Sequence, residues 1–347
     1  MKKYLLPAAQ AAVTVFLLWW IFRDPQKNRA MLEAVSKASP LWLIYGVLSI
    51  GVACLLQTWR WHLLLKAQDI AFGWFRTLRI YMIGLFFNLF LLGATGGDVI
   101  KIYLAMRETG AKKSAAFLSV LVDRMMGLLG LVIVTIFMVA LRWNQLTAFP
   151  VMRALLGALA AIMGVMFGLV VFGFAVDRFH LARFLPRWLP LHDRILELST
   201  AFSVYARDGK TLLATLALST VCHFFNFSAF YCAARALGAF AGWSGFLDVA
   251  SILPIIMTIT ALPISLSGVG VREGLFEKIF GTLYPNMLPK PQDIAVPASL
   301  LGFFMSVFWG IIGGLIYLLY RPSGGLNLEQ IRESVSQTEK NLETPPQ

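Results

Sequence analysis

Long apolar runs separated by short polar loops dominate this chain, and the runs set its elements. A helix needs about 20 apolar residues to cross a bilayer. Runs of that size cover 4–22, 41–59, 114–141, 151–177, 211–234 and 295–320. Two further stretches, 80–95 and 246–284, are apolar but interrupted. In the first, Ile80–Leu92 is too short to cross comfortably before the Gly-rich break at Gly93–Gly97. In the second, Leu247–Leu262 and Val271–Tyr284 flank a Pro/Ser/Gly knot. The pattern predicts an all-α polytopic membrane protein with about six full spans and two re-entrant broken-helix elements.

Composition agrees. Of 347 residues, 58% are hydrophobic and 14% charged, against about 45–50% and about 25% in soluble domains. The net charge of +12 does not point to nucleic acid, because no basic, aromatic-interleaved soluble domain carries it. It sits in short loops, where it sets topology and meets anionic headgroups. Cys54, Cys222 and Cys232 all fall within apolar segments and read as small buried hydrophobes. The aromatic groups Trp19-Trp20, Trp59–Trp61 and Trp188 read as interface belts.

Positive charge orients the spans. Arg178, Arg183, Arg187, Arg194, Arg207 and Lys210 make 178–210 the densest basic loop, which places it in the cytoplasm. The loops around Arg60, Lys66, Arg76 and Arg79, and around Lys101, Arg107, Lys112 and Lys113, join it there only if 80–95 dips in and returns. The same bookkeeping makes 246–284 re-entrant from the outer face. Loop 23–40 fits less well, since Arg23, Lys27, Arg29 and Lys37 would lie outside, partly offset by Asp24 and Glu33. Lys2-Lys3 and the following run resemble a signal peptide, but the small-residue site Ala9-Gln10-Ala11 precedes most of that run, so 4–22 reads as a retained helix. The expectation is a multi-pass protein of the bacterial inner membrane with both termini cytoplasmic. Its transmembrane domain is 1–320, and 321–347 forms a flexible cytoplasmic tail.

The span at 41–59, the break at Gly96-Gly97 and the span at 114–141 recur roughly 170 positions later as 211–234, the break at Gly268 and Gly270, and 295–320. By the charge rule the two halves have opposite orientation. An inverted repeat and a chance likeness of hydropathy both account for this.

Each break leads directly into charge. Gly96-Gly97 is followed by Asp98 and, one turn on, Lys101. Gly268-Val269-Gly270 is followed by Arg272 and Glu273. Irregular backbone at membrane depth survives only within protein or beside a wet cavity, and charges there point to function. If the segment after Gly97 is helical, its opening amides suit an anion. Arg272 could hold a phosphate bidentately. The plainer readings are an N-cap aspartate and an outer-loop salt-bridge cluster. Asp123-Arg124 lies about 14 Å into span 114–141 at 1.5 Å per residue. Adjacent charges diverge on a helix, so each needs its own partner, drawn from Asp98, Arg272 or Glu273; a structural ion pair fits as well. His223 and Asn226 read as interhelical hydrogen-bonding groups.

The motifs Gly96–Lys101, Ser119–Gly127 and Pro263–Gly274, in that order, resemble the lysylphosphatidylglycerol synthase transmembrane, or flippase-like, family. The likeness is to the membrane half of the multiple peptide resistance factor, over about residues 5–320. That resemblance implies translocation of a membrane lipid, with the separate synthase domain missing from this chain. The expected substrate-binding residues are Asp98, Lys101, Asp123, Arg124, Arg272 and Glu273, around breaks at Gly96, Gly97, Gly268 and Gly270. Lys101 stands where relatives often have arginine, which weakens bidentate phosphate recognition there. No GxSxG, HExxH or Walker A motif occurs, so neither enzymatic activity nor a cofactor or metal is expected. The alternatives are a membrane subunit partnering a lipid- or glycan-modifying enzyme and, less favoured, an intramembrane transferase.

Overall fold

Proline opens four of the helices into which the apolar runs fold. In the computed structural model the described residues are 14–90, 96–109, 112–178, 204–205, 207–260, 265, 268–286 and 289–319. The first described helix, α1, covers 14–22. It is followed by α2 (Pro25–Ser36), α3 (Pro40–Ala67), α4 (Trp74–Phe90), α5 (Gly96–Thr109), α6 (Lys113–Leu141), α7 (Trp143–Thr147) and α8 (Pro150–Arg178). The second half holds α9 (Gly209–Ala236), α10 (Gly242–Thr260), α11 (Val271–Leu283) and α12 (Pro291–Leu319). Pro25, Pro40, Pro150 and Pro291 each stand first in a helix, where a missing N–H costs nothing and φ is already helical. The protein is membrane-embedded and all-α among the described residues. The tail from residue 320 and most of the 178–210 loop, including Trp188, lie outside them.

Five described helices are long and apolar enough to cross a membrane: α3, α6, α9, α10 and α12. Four match predicted spans. The fifth, α10, belongs to the stretch read as re-entrant. Its apolar window is 61% buried within the protein, against 28–33% for the other four. That is the burial of a limb enclosed by neighbouring helices rather than by lipid.

The first broken element is a helical hairpin. Gly97 N–H donates to Asn88 Oδ1 at 2.9 Å, and a Cβ on Gly84 would touch the Lys101 side chain, so α5 runs back along α4. The helix α4 begins at Trp74, ahead of the predicted start, and takes Arg76 and Arg79 out of the loop to which the charge pattern assigned them. The break itself, 91–95, and most of the Pro263–Ser267 knot lie outside the described residues.

The two halves pack as a repeat. Ser49 Oγ of α3 donates to the Phe225 carbonyl of α9 at 2.8 Å, and Arg60 NH1 donates to Ser219 Oγ at 3.0 Å. Positions rise on α3 as they fall on α9, so this central pair is antiparallel. Exchanging α3, α4, α5 and α6 for α9, α10, α11 and α12 preserves the packing. The helix α4 lies on α12 as α10 lies on α6; α5 lies on α6 as α11 lies on α12; α3 lies on α12 as α9 lies on α6. Local hydropathy alone would not produce that correspondence of tertiary neighbours.

Candidate functional site

Close backbone approach builds the site. A Cβ on Gly97 would fall 2.0 Å from the Gly84 carbonyl oxygen, so only glycine lets α5 press against α4 here. This contact turns the first two turns of α5 inward. Asp98 stands in the first turn, where a negative charge meets the positive helix end. Lys101 follows on the same face and is buried.

Asp123 and Arg124 diverge from α6 and take separate partners, as adjacent helical residues must. Asp123 Oδ1 accepts from Arg60 Nε at 2.7 Å, and Oδ2 from Lys101 Nζ at 3.2 Å. All three side chains are at most 7% exposed. Arg124 pairs with Asp98 and is the open member of the set, its side chain 46% exposed. Lys101 is further fixed by aromatic faces, with Nζ 4.6 Å from the Trp61 ring centre and 5.2 Å from that of Tyr81. Trp61 itself donates to Ser119 Oγ at 3.2 Å and is fully buried, whereas the belt reading placed it at an interface. Trp19 and Trp20 are exposed as that reading expects.

These groups wall a cavity of about 320 Å³ between the halves. Arg60, Lys101 and Arg124 face it against Asp98 and Asp123, three cations to two carboxylates. His223 and Asn226 complete its wall from α9. His223 Nε2 bonds the Gly127 carbonyl at 2.9 Å, the interhelical tie expected of it. Asn226 Nδ2 instead bonds its own helix at Cys222 O. An excess of positive charge beside a helix N-terminus is suited to an anionic group.

Arg272 and Glu273 form a second cluster and do not line this cavity. Gly270, at φ 87°, caps α11 in a conformation that favours glycine. Its N–H donates to Glu273 Oε2 at 2.6 Å. Glu273 Oε1 accepts from Arg272 Nε at 3.0 Å and NH2 at 2.7 Å, and from Ser299 Oγ at 2.8 Å. Arg272 Nε also lies 3.0 Å from Ser299 Oγ, and its guanidinium sits 4.4 Å from the Phe303 ring centre. Glu273 is completely buried, so the cluster ties α11 to α12. The six residues expected to bind substrate therefore fall in two places: Asp98, Lys101, Asp123 and Arg124 come together, while Arg272 and Glu273 stand apart.

Sequence reasoning missed Arg60, which it left in a cytoplasmic loop. The helix α3 continues to Ala67, and Arg60 is buried within it. The signal was the apolar run Trp61–Leu65 beyond Arg60, which makes it a lone charge inside a helix rather than its flank. Ser219, which shares Arg60 with Asp123, carried no local signal.

The family described as Lysylphosphatidylglycerol synthase TM region matches residues 8–314. The UPF0104 membrane protein of Pyrococcus horikoshii is 23% identical over 345 residues, covering 92% of this chain and 98% of the relative. The family match encloses both broken elements, the cavity and the Arg272–Glu273 cluster, and the chain belongs to the lysylphosphatidylglycerol synthase TM region family.

Proposed function

We propose that this chain translocates a membrane lipid, without catalysing a reaction, in the bacterial inner membrane with both termini in the cytoplasm. The polar headgroup enters the cavity between α3, α5, α6 and α9 while the acyl chains stay in the bilayer. One observation carries the reading: a cavity at the junction of two antiparallel halves, walled by three cations and two carboxylates. Headgroup sites at the interface of inverted halves, beside the N-terminus of a broken helix, are the arrangement by which transporters hold an anion. The excess positive charge favours a phosphate-bearing headgroup. Arg124, paired but half open, makes the first contact. Asp98 holds it in place, and Asp123 fixes Arg60 and Lys101 behind it. Arg272 and Glu273 set the second broken element.

A leaflet-accessibility assay in proteoliposomes, with a panel of headgroup-labelled phospholipids, tests this. Wild type is run beside Asp98→Asn and Arg124→Gln. Movement by wild type that both variants lose supports the reading. No movement of any lipid by folded protein overturns it, in favour of a membrane subunit that partners a lipid- or glycan-modifying enzyme.

A further inference from the structure

A second cavity lies away from the charged one. It is a groove of about 680 Å³ between α6, α7 and α8, within the roughly 300–1,000 Å³ range of small-molecule sites. Val132, Ile136 and Val139 wall one side and Gly157, Gly164 and Phe167 the other. Gly157 and Gly164 leave the α8 side open, since a Cβ at either position would meet no atom within 4 Å. The two hydroxyl groups in the wall are turned back on their own helices: Thr135 donates to the Leu131 carbonyl at 2.6 Å and Thr147 to the Trp143 carbonyl at 2.8 Å. The long wall thus offers dispersion contacts only. At one end it closes on polar and amphipathic groups, the exposed Arg153 with Trp143 and Thr147. Among the described residues no hydrogen bond or ion pair engages the Arg153 guanidinium.

We infer that this groove is a phospholipid site, with one acyl chain between α6 and α8 and the phosphate on Arg153. Length supports a lipid over a protein helix. On α6 the groove follows about 10 Å of helix from Val132 to Val139, and on α8 about 21 Å from Arg153 to Phe167, at 1.5 Å per residue, short of a hydrocarbon core about 30 Å thick. One leaflet's acyl chain fills that length, whereas a transmembrane helix would need a face running the whole depth. Charge supports it too: a guanidinium in the first turn of the apolar helix α8, sharing the groove's end with an indole, is complementary to a phosphate diester. The site also adjoins the charged cavity. Gly127, Leu128 and Leu131 of α6 line that cavity, and Val132, the residue after Leu131, begins the groove on the adjoining face of the same helix. A lipid held here shares α6 with the charged chamber. The inference stands on the groove's own geometry, whether or not the chamber moves a headgroup.

Native mass spectrometry of the full chain tests it, by titration with phosphatidylglycerol and with diacylglycerol of the same acyl chains. Wild type is compared with Arg153→Gln, Gly157→Leu and Gly164→Leu. The glycine positions have room for the new side chain, and leucine is the better helix former; a thermal unfolding curve for each variant confirms its fold. We expect wild type to retain one more phosphatidylglycerol than either leucine variant. Arg153→Gln should weaken phosphatidylglycerol about tenfold or more while leaving diacylglycerol unchanged, as loss of a charge-assisted hydrogen bond would do. Equal lipid stoichiometry in wild type and both leucine variants overturns the site. A dimer that the leucine variants dissociate, with lipid binding unchanged, assigns the groove to a second copy of the chain instead. Equal weakening of both lipids by Arg153→Gln overturns the phosphate contact.

Discussion

Arg60 Nε lies 2.7 Å from Asp123 Oδ1 and joins α3 to α6 across 63 positions of sequence. Lys101 takes the other carboxylate oxygen, so one acid holds two buried cations from two further helices. Charges withdrawn from water are tolerated only when paired with good geometry. Asp123 is therefore the joint on which the first half of the chamber depends.

Removing Asp123 leaves two buried cations without their acid. Asp123→Asn should destabilise the protein by about 3–5 kcal/mol, the cost of breaking a buried pair from one side. The double variant Arg60→Met, Asp123→Leu should lose less than the two single variants together, because Arg60 no longer stands unpaired and only Lys101 is left without its acid. Denaturant unfolding of detergent-solubilised protein, run as a double-mutant cycle, measures both. Additive losses would show that the pair is not coupled.

Gly97 allows the hairpin to close. With the Gly84 carbonyl 2.0 Å from the position of a new Cβ, backbone would have to move against backbone. Gly97→Ala should cost about 1–3 kcal/mol, the range for overpacking a tight site. Gly157→Ala, in open space on α8, is the control and should be neutral or slightly stabilising. Unfolding midpoints of the two variants separate a steric requirement from a general effect of replacing a helical glycine.

Asp208 caps α9 from outside the span. Its Oδ1 accepts the Thr211 N–H at 3.1 Å, and hydrogen bonding from the Thr211 side chain, then from its N–H, holds the carboxyl below its ordinary range. A carboxylate with a lowered folded-state pKa gives its full contribution above the unfolded value near 3.9. It loses that contribution as the pH falls through the folded value. Asp208→Ala should cost about 1 kcal/mol at pH 7, and the gap from wild type should narrow as the pH falls through the lowered folded value, leaving the part that a neutral capping oxygen still supplies. Asp208→Asn keeps such a neutral oxygen, so it should recover most of the loss at pH 7, and its gap to Asp208→Ala should not change with pH. Unfolding measured across that pH range tests the cap.

Hydropathy and helix breakers made most of the architecture legible. Apolar length located the spans, and the glycines at 96–97 and 268–270 located both helix starts. That Asp123 and Arg124 needed separate partners was also readable, since adjacent charges on α6 diverge; Asp98, the partner Arg124 takes, was one of three candidates. Arg60 was not, because its partners Asp123 and Ser219 lie 63 and 159 positions away and only packing brings them together. The same limit explains Glu273. Its surroundings in sequence resemble those of Asp98, yet Ser299 and the Gly270 N–H satisfy it locally. Helix-start motifs that match in sequence thus end in unlike environments, since the difference lies in what the last helix of each half presents to them.

That difference separates the two acids experimentally. Glu273 is fully buried and accepts from Gly270, Arg272 and Ser299. Glu273→Gln replaces a charged acceptor with an amide and leaves Arg272 buried without its acid, so the loss should fall on stability, by about 3 kcal/mol. Asp98 pairs with a half-open Arg124, and such pairs contribute about 0–1 kcal/mol. Asp98→Asn should therefore leave stability near wild type and reduce lipid movement at least tenfold, because Arg124 loses the group that aims it. Unfolding and the proteoliposome assay, performed on the same preparations, decide this. An Asp98→Asn protein that is stable and moves lipid normally would remove Asp98 from the headgroup path. A Glu273→Gln protein that is stable but inactive would return Glu273 to it.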